Sequence, residues 1–523
     1  MNKKLTALLF ALGMVGTTFG SANNRTEMNV RISRDTIPAY TTFNEMICDK
    51  NNDRIGGFVE GTVFYGRSNN GAALGRNFGA DGTNSIFLRN ERRATHASGG
   101  QLPSIDLNAR RPQVWNDLLL HNVDNLNNTL TGSLKFDPKQ TSFGVRLDYL
   151  QRLDKWVDGL YFHVILPIVN VKNDLNMTHT GLTGIGALTA GTESVSLNTL
   201  LKGGTVTRLA ANAAAGANNQ SALTHGKMAN NSETGLGDLE LRVGWRFLQN
   251  DKYHAGLNGA VLFPTADDRD GEFLWEAVTG ESKWALGLGL DGAATLWEEK
   301  DQNLKICGNL NYRYLFEGSE RRTLPLNTLT YSSDATGAGT FKTISNPILS
   351  PYYLVGDSAA AAATSLKPLA NVSTLNIDVK PGSQIDGTVS LAYNNGCFCM
   401  DLGYNLFWKE RESISLKQTW SNNKYGVPAG NFRVDNNQFD QTDSIAGTAA
   451  PETQAFIQSS HLDPTAAETP SQVVHKFFLG LGYYARTWDY PVMLGAGAAY
   501  ELPSSNRDAC EGYSLWGKLG IAF

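Results

Sequence analysis

From Leu239 to Phe247 the chain alternates without a break, with Leu239, Leu241, Val243, Trp245 and Phe247 on one side and Glu240, Arg242, Gly244 and Arg246 on the other. Only an extended strand sends successive side chains to opposite faces, so this segment predicts a strand with one apolar and one charged surface. The pattern returns at Tyr253–Pro264, in the pair Trp284–Trp297 and Asn303–Phe316, and in the pair Gln384–Tyr393 and Cys397–Lys409. That last pair is joined by Asn394-Asn395-Gly396, whose Asn-Gly favours the positive φ of a tight hairpin turn. It closes with Val473–Arg486, Tyr490–Glu501 and Gly512–Phe523, and upstream lie Asn128–Asp137, Ser142–Arg152 and Gly159–Val171.

The amino terminus carries Lys3 and Lys4, an apolar run from Leu5 to Val15, and a small-residue exit at Gly20-Ser21-Ala22, which together predict a secretory signal peptide over 1–22. Beyond it no apolar stretch approaches the roughly 18 to 20 residues of a spanning helix, so membrane residence requires a closed sheet. The mean hydropathy of -0.27 agrees, because strands apolar on one side only average out to a soluble-looking value. In the last strand Tyr513, Leu515, Leu519, Ile521 and Phe523 share a face, and the terminal aromatic is a signature of bacterial outer-membrane barrels. The expected fold class is therefore all-β, an antiparallel transmembrane β-barrel.

Phe58–Tyr65 adds a strand and parity asks for a partner, best met by Asn84–Arg92, which makes fourteen strands the expectation and twelve the alternative. The domain reading is a signal peptide at 1–22, a periplasmic N-terminal segment at 23–55, and the barrel at 56–523 with long loops at 172–234, 317–383 and 410–472. Residues 94–127 are expected as a periplasmic or lumen-inserted segment. Short links at 153–158, 249–252, 298–302, 394–396 and 487–489 fall on the periplasmic side and the long loops outside. Trp156, Trp297, Tyr393, Trp488 and Tyr490 toward the periplasm, and Trp284, Tyr314, Trp408, Tyr500 and Tyr513 toward the exterior, read as two headgroup girdles.

If the apolar rows face lipid, the other rows face a lumen. Its basic lining is predicted to be Arg146, Arg242, Arg246, Lys305, Arg313 and Lys409, and its acidic lining Asp148, Glu240, Asp291, Asp386 and Asp401. Lys135, Asn309, Asn311, Asn405 and Lys518 belong to the same rows. Twelve or more strands enclose more space than side chains fill, so diffusion of small solutes through a polar channel is the expected function. A surface interaction protein, adhesin or receptor, anchored by its barrel is the alternative.

Thr234-Gly235-Leu236-Gly237-Asp238-Leu239, followed by Phe263-Pro264-Thr265, resembles the outer-membrane family named for the phenol-degradation meta pathway, with weaker echoes in Leu166-Pro167-Ile168 and the last strand. That family is linked to transporters of long-chain fatty acids and aromatic hydrocarbons, and the resemblance implies passage of small, apolar molecules.

No catalytic site, cofactor or metal is expected. The eight histidines are scattered without HExxH, and no G-x-S-x-G elbow occurs. Asp49, Asn51, Asp53 and Glu60 match calcium-loop spacing, but Arg54 stands where the sharp turn needs glycine. Five cysteines without a CxxC pair indicate neither a disulfide scaffold nor a zinc site. A net charge of -5 excludes nucleic acid on electrostatic grounds. The expected partners are outer-membrane lipid and lipopolysaccharide, the barrel-assembly machinery through Phe523, and small solutes.

Overall fold

The computed structural model describes residues 26–27, 56–79, 83–89, 131–183, 201–204, 221–250, 252–327, 330–332, 341–343, 347–352, 354–357, 367–428, 434–435, 438–439, 454–485, 488–504 and 509–523. The expected signal peptide, residues 94–127 and Cys48 lie outside them.

Twelve strands close into one antiparallel barrel. They are β1 (Gly57–Ser68), β2 (Lys139–Arg152), β3 (Leu160–Asp174), β4 (Leu239–Gln249), β5 (Tyr253–Phe263) and β6 (Ala285–Glu299). The circuit continues with β7 (Gln302–Leu315), β8 (Gly382–Asn395), β9 (Phe398–Lys409), β10 (Gln472–Ala485), β11 (Val492–Pro503) and β12 (Gly512–Ala522). Each strand pairs with its sequence neighbours, and β12 returns to β1 from Phe58 opposite Ala522 to Ser68 opposite Gly512. Every wall strand has at least 11 residues, enough for the ~9–11 that a tilted strand needs to cross a bilayer.

The count is therefore the twelve of the alternative, with different membership from that expected. Thr131–Lys135 pairs with Ser85–Arg89 on one side and with Thr178–Thr183 on the other in a separate small sheet, while β1 takes the wall position next to β2. At five residues each, these two segments are too short to span a bilayer. Lys135 accordingly belongs to that small sheet and not to the wall.

Burial is inverted relative to a soluble protein. Outward-facing Leu288, Leu402 and Leu515 are 71 %, 57 % and 50 % exposed, whereas inward-facing Glu60, Asp401 and Lys476 are 0 %, 1 % and 1 % exposed. A closed wall with an apolar outside has only lipid to cover it, which is the design of an outer-membrane barrel. Among the described residues no helix is long and apolar enough to cross a membrane. Trp156, Trp297, Trp488 and Tyr490 stand exposed near the short turns, and Trp284, Tyr500 and Tyr513 at the opposite end.

All short turns lie at one end, Gly396 adopting the expected positive φ of 58°. At the other end the connections build a lobe with its own apolar core, including Phe78, Leu134, Leu223, Trp275, Tyr352, Ile377, Trp420 and Ile457. Three-strand pairing of Gly318–Thr323, Thr374–Lys380 and Ser413–Leu416 orders part of it. Segments that read as polar and aperiodic thus hide a core, because widely spaced apolar residues converge only after the loops meet. Thr26 and Glu27, expected in the periplasm, pack with this end: the Thr26 amide donates to the Ala466 carbonyl at 3.0 Å and its hydroxyl to that of Thr323 at 3.2 Å.

Placing a charge on the lipid face tests the inversion. Leu515→Arg is expected to destabilise the folded barrel by roughly 2–4 kcal/mol in denaturant titrations in vesicles. A loss no greater than that of Leu515→Ala would contradict a lipid-facing Leu515.

Candidate functional site: the lumen and its mouth

Strand parity places all eleven charged residues singled out from the sequence on inward-facing positions, and there most of them meet partners. Arg146 Nε donates to Asp148 at 2.8 Å, and His163 Nε2 lies 3.0 Å from the same carboxylate. Arg242 Nε donates to Glu240 at 2.7 Å, and Arg313 reaches across from β7 to Glu240 at 3.1 Å. Arg246 faces Asp291 at 3.8 Å, with the Tyr161 hydroxyl donating to Asp291 at 3.3 Å. Asn405 donates its side-chain amide to Asp386, Lys305 is half-buried, and Asp401 is fully buried.

Glu60, Lys476 and Glu501 are inward groups that had not been assigned to the lumen, whereas Lys518 had. Glu60 pairs with Lys518 at 3.3 Å, and Lys476 with Glu501 at 2.7 Å. Their alternating positions in β1 and β10 carried the available signal. The two signs do not sort onto opposite walls, since Arg146 and Asp148, or Glu240 and Arg242, are two apart on one strand. Aromatic rings fill the space between pairs: a Cβ at Gly403 would come within 2.0 Å of the Phe478 ring, so glycine there lets the ring lie flat on the wall.

The lobe end of the lumen is bridged by a second set of charges, drawn from loops. Arg322 ion-pairs with Glu320 and reaches Glu412 at 2.9 Å; Lys409, the last residue of β9, meets Glu412 at 3.1 Å. Lys283 faces Glu320 at 3.5 Å, Arg269 pairs with Glu27, and Gln384 donates to Glu281 at 3.0 Å. Most of these groups, though not Glu27 or Gln384, line a cavity of about 30 Å³, room for a water or two. Ion pairs therefore tie several of the described loop segments together at this end. Their signal in the sequence was the charge-dense Lys409–Glu412 and Glu320–Arg322, set in segments otherwise read as featureless loop.

The Thr234–Leu239 motif proves to be an interruption in the wall. Asn231–Leu236 pairs with one half of β3 and β4 with the other, and between them Gly237 donates its amide to the Pro167 carbonyl at 2.8 Å. Proline has no amide to return, so the ladder breaks here. The β5–β6 loop fills the break. Buried Asp238 accepts the Glu281 and Ser282 amides at 2.6 and 3.1 Å, and the Thr265 hydroxyl donates to the Gly237 carbonyl at 2.6 Å while accepting the Leu239 amide at 2.9 Å. This motif thereby holds Arg269, Glu281 and Lys283 over the lumen.

Two loop carboxyls are displaced in opposite directions. Burial alone would raise Glu412, but Arg322, Lys409 and Arg269 hold it well below the usual carboxylate value of 4.5. Burial pushes Glu276 up to about 8 despite the Asp270 and Gly271 amides donated to it at 3.1 Å each. Asp267, Asp268 and Asp270 lie in the same loop, and among the described residues no group of three or more His, Cys, Asp or Glu is arranged to hold a metal ion.

No known protein family matches the sequence, and no curated protein does. Similar solved structures include the COG4313 outer membrane channel from Pseudomonas putida F1, at 10 % identity over 91 % of this chain and 98 % of that one, with a TM-score of 0.38. A TodX mutant monoaromatic hydrocarbon channel shows 10 % identity, coverage of 90 % and 91 %, and a TM-score of 0.30. The transport unit of the autotransporter AIDA-I from Escherichia coli shows 7 % identity, coverage of 93 % and 97 %, and a TM-score of 0.28. Likeness at this level carries no argument about function, which rests on the barrel's own geometry.

The raised Glu276 has a definite pH signature. A raised acid stabilises the fold as a neutral group, fully below about 4.5 and progressively less as pH rises through about 8. The β5–β6 loop is expected to loosen between pH 6 and 9, read as a shift in the emission of neighbouring buried Trp275, assigned by comparison with Trp275→Phe. Glu276→Gln should abolish the transition; a variant that titrates like the parent would rule out this residue as its source.

Proposed function

We propose that the chain is an outer-membrane channel through which small solutes diffuse, with a polar lumen shut at rest by the ion cluster at its mouth. One observation carries this reading: the interior of a twelve-strand barrel holds buried ion pairs, such as Glu60 with Lys518 and Arg146 with Asp148, set among its aromatic and aliphatic side chains. About eight strands suffice when side chains alone are to fill a barrel, so twelve provide a lumen wider than an anchor needs. An anchor would also fold at least as well with an apolar filling, because replacing buried ion pairs by packed hydrophobics is often neutral or stabilising by ~1–4 kcal/mol. A charged interior is instead what a hydrated solute path requires.

In this reading Arg146, Arg242, Arg246, Lys305, Arg313 and Lys409 supply cationic contacts along the path, and Asp148, Glu240, Asp291, Asp386 and Asp401 anionic ones. Because the signs alternate within strands, they offer exchangeable partners to a polar solute without building a strong transverse field. Passage is diffusion, and no bond is made or broken. The family resemblance would extend the cargo to small aromatic or aliphatic molecules. One observation favours the surface-interaction alternative, namely that the external loops form a lobe with its own apolar core.

Planar-bilayer recording separates the two. A channel held shut by Glu412 should pass brief, infrequent currents at neutral pH. Its open time should rise as pH falls below about 4.5, because a depressed carboxyl gives its stabilisation above that value and loses it on acidification. Glu412→Gln should lengthen openings at pH 7. A purified barrel silent at every pH, in both parent and variant, would refute the channel and leave the lobe as the functional part.

A further inference from the structure

Of the lysines and arginines on the twelve wall strands, all but three point inward, and the three that point outward sit together. They are Arg67 on β1, Lys139 on β2 and Lys172 on β3, on adjacent strands at the loop end of the wall. Arg67 stands opposite Thr141, and Thr141 opposite Lys172, so the two cations flank a hydroxyl in one row, two strand spacings or roughly 10 Å apart. Ser232 continues the row beyond Lys172. Lys139 is neutralised by Asp137 at 3.4 Å. Arg67 and Lys172 are both exposed, and neither has a carboxylate partner among the described residues.

The height of this row on the wall matters. The next outward row toward the short turns is Tyr65, Phe143 and Asn170, and the one after it Val63, Val145 and Ile168. Phe143 is 52 % exposed and Val63 47 %, so Arg67 and Lys172 mark the edge of the lipid-covered band. Elsewhere on the rim Tyr513, Tyr500 and Trp284 stand exposed at the loop end, and the charge beside Tyr500, Glu511, is an acid that accepts the Tyr500 hydroxyl. An exposed cation pair at that edge, with hydroxyls beside it, has charge and donors to match a phosphate. A guanidinium can grip two phosphate oxygens while the ammonium supplies a point charge.

We propose that Arg67, Thr141, Lys172 and Ser232 form a binding site for the phosphorylated headgroup of a lipid in the leaflet facing the long loops, the position occupied by lipopolysaccharide. The site is on the outer wall, so it binds a structural lipid and not a solute in transit. It rests on the barrel's residence in a membrane and is independent of whether the lumen conducts.

The experiment uses the full chain in detergent micelles and counts retained lipid by native mass spectrometry, with lipid A, its dephosphorylated form and inorganic phosphate as separate probes. The parent should retain lipid A and release the dephosphorylated form. Arg67→Ser with Lys172→Ser should weaken lipid A binding by at least about tenfold, the scale expected for two basic residues at an anionic surface. Arg67→Lys with Lys172→Arg should keep it, and Lys155→Ser with Lys300→Ser, at the short-turn end, should leave it unchanged. Each variant is first checked for barrel folding by heat-dependent gel mobility, and if the double serine variant misfolds the two single variants replace it. Equal retention by the serine variants, equal binding of dephosphorylated lipid, competition by inorganic phosphate at concentrations comparable to lipid A, or an equal loss in the short-turn control would each overturn the assignment.

Discussion

A backbone amide in hydrocarbon has no water to bond to, and the whole architecture answers that constraint. Pairing β1 with β12 removes the two edges that an open sheet would leave in lipid, and with closure every wall strand is bonded on both sides. One break remains, at Gly237 and Pro167, and the β5–β6 loop covers it through Asp238 and Thr265. The same residues that repair the wall carry charges into the mouth.

Closure then decides where charge goes. With lipid outside, each lysine, arginine, aspartate and glutamate of the wall is turned into the lumen or placed at the rim, and a charge taken from water there requires a partner. Pairs such as Lys518 with Glu60 and Arg313 with Glu240 satisfy that requirement locally. The result is an interior in which ion pairs sit among buried aromatic and aliphatic side chains, with a further cluster at the loop end where Arg322 and Glu412 meet from different loops. Salt bridges made between loops are not held by a strand ladder, which is why the proposed gate is placed there.

The wall was legible from residues such as Leu239 to Phe247 and Gly512 to Phe523, because a two-sided strand between lipid and a polar lumen has nowhere to hide its period. The short turns showed through their Asn-Gly and their length. Asn84–Arg92 and Asn128–Asp137 misled because local alternation does not say whether a strand joins the wall or a small external sheet, and parity alone was satisfied by either. The lobe was illegible for a different reason. Its core gathers Phe78, Leu223, Trp275, Tyr352 and Trp420 from five separate connections, and no periodicity within any one of them records the meeting. The lumen charges could be placed on the inner face by parity, whereas their partners could not, since pairing depends on register between strands far apart in sequence.

The claim on which everything stands is that alternate residues of one strand see lipid and a filled interior. Spin labels placed singly at 513 to 521 in a cysteine-free background, with the protein in bilayers, would read it through their accessibility to dissolved oxygen. The account predicts high accessibility at 513, 515, 519 and 521 and low accessibility at 514, 516 and 518. A profile without that two-residue alternation would contradict it.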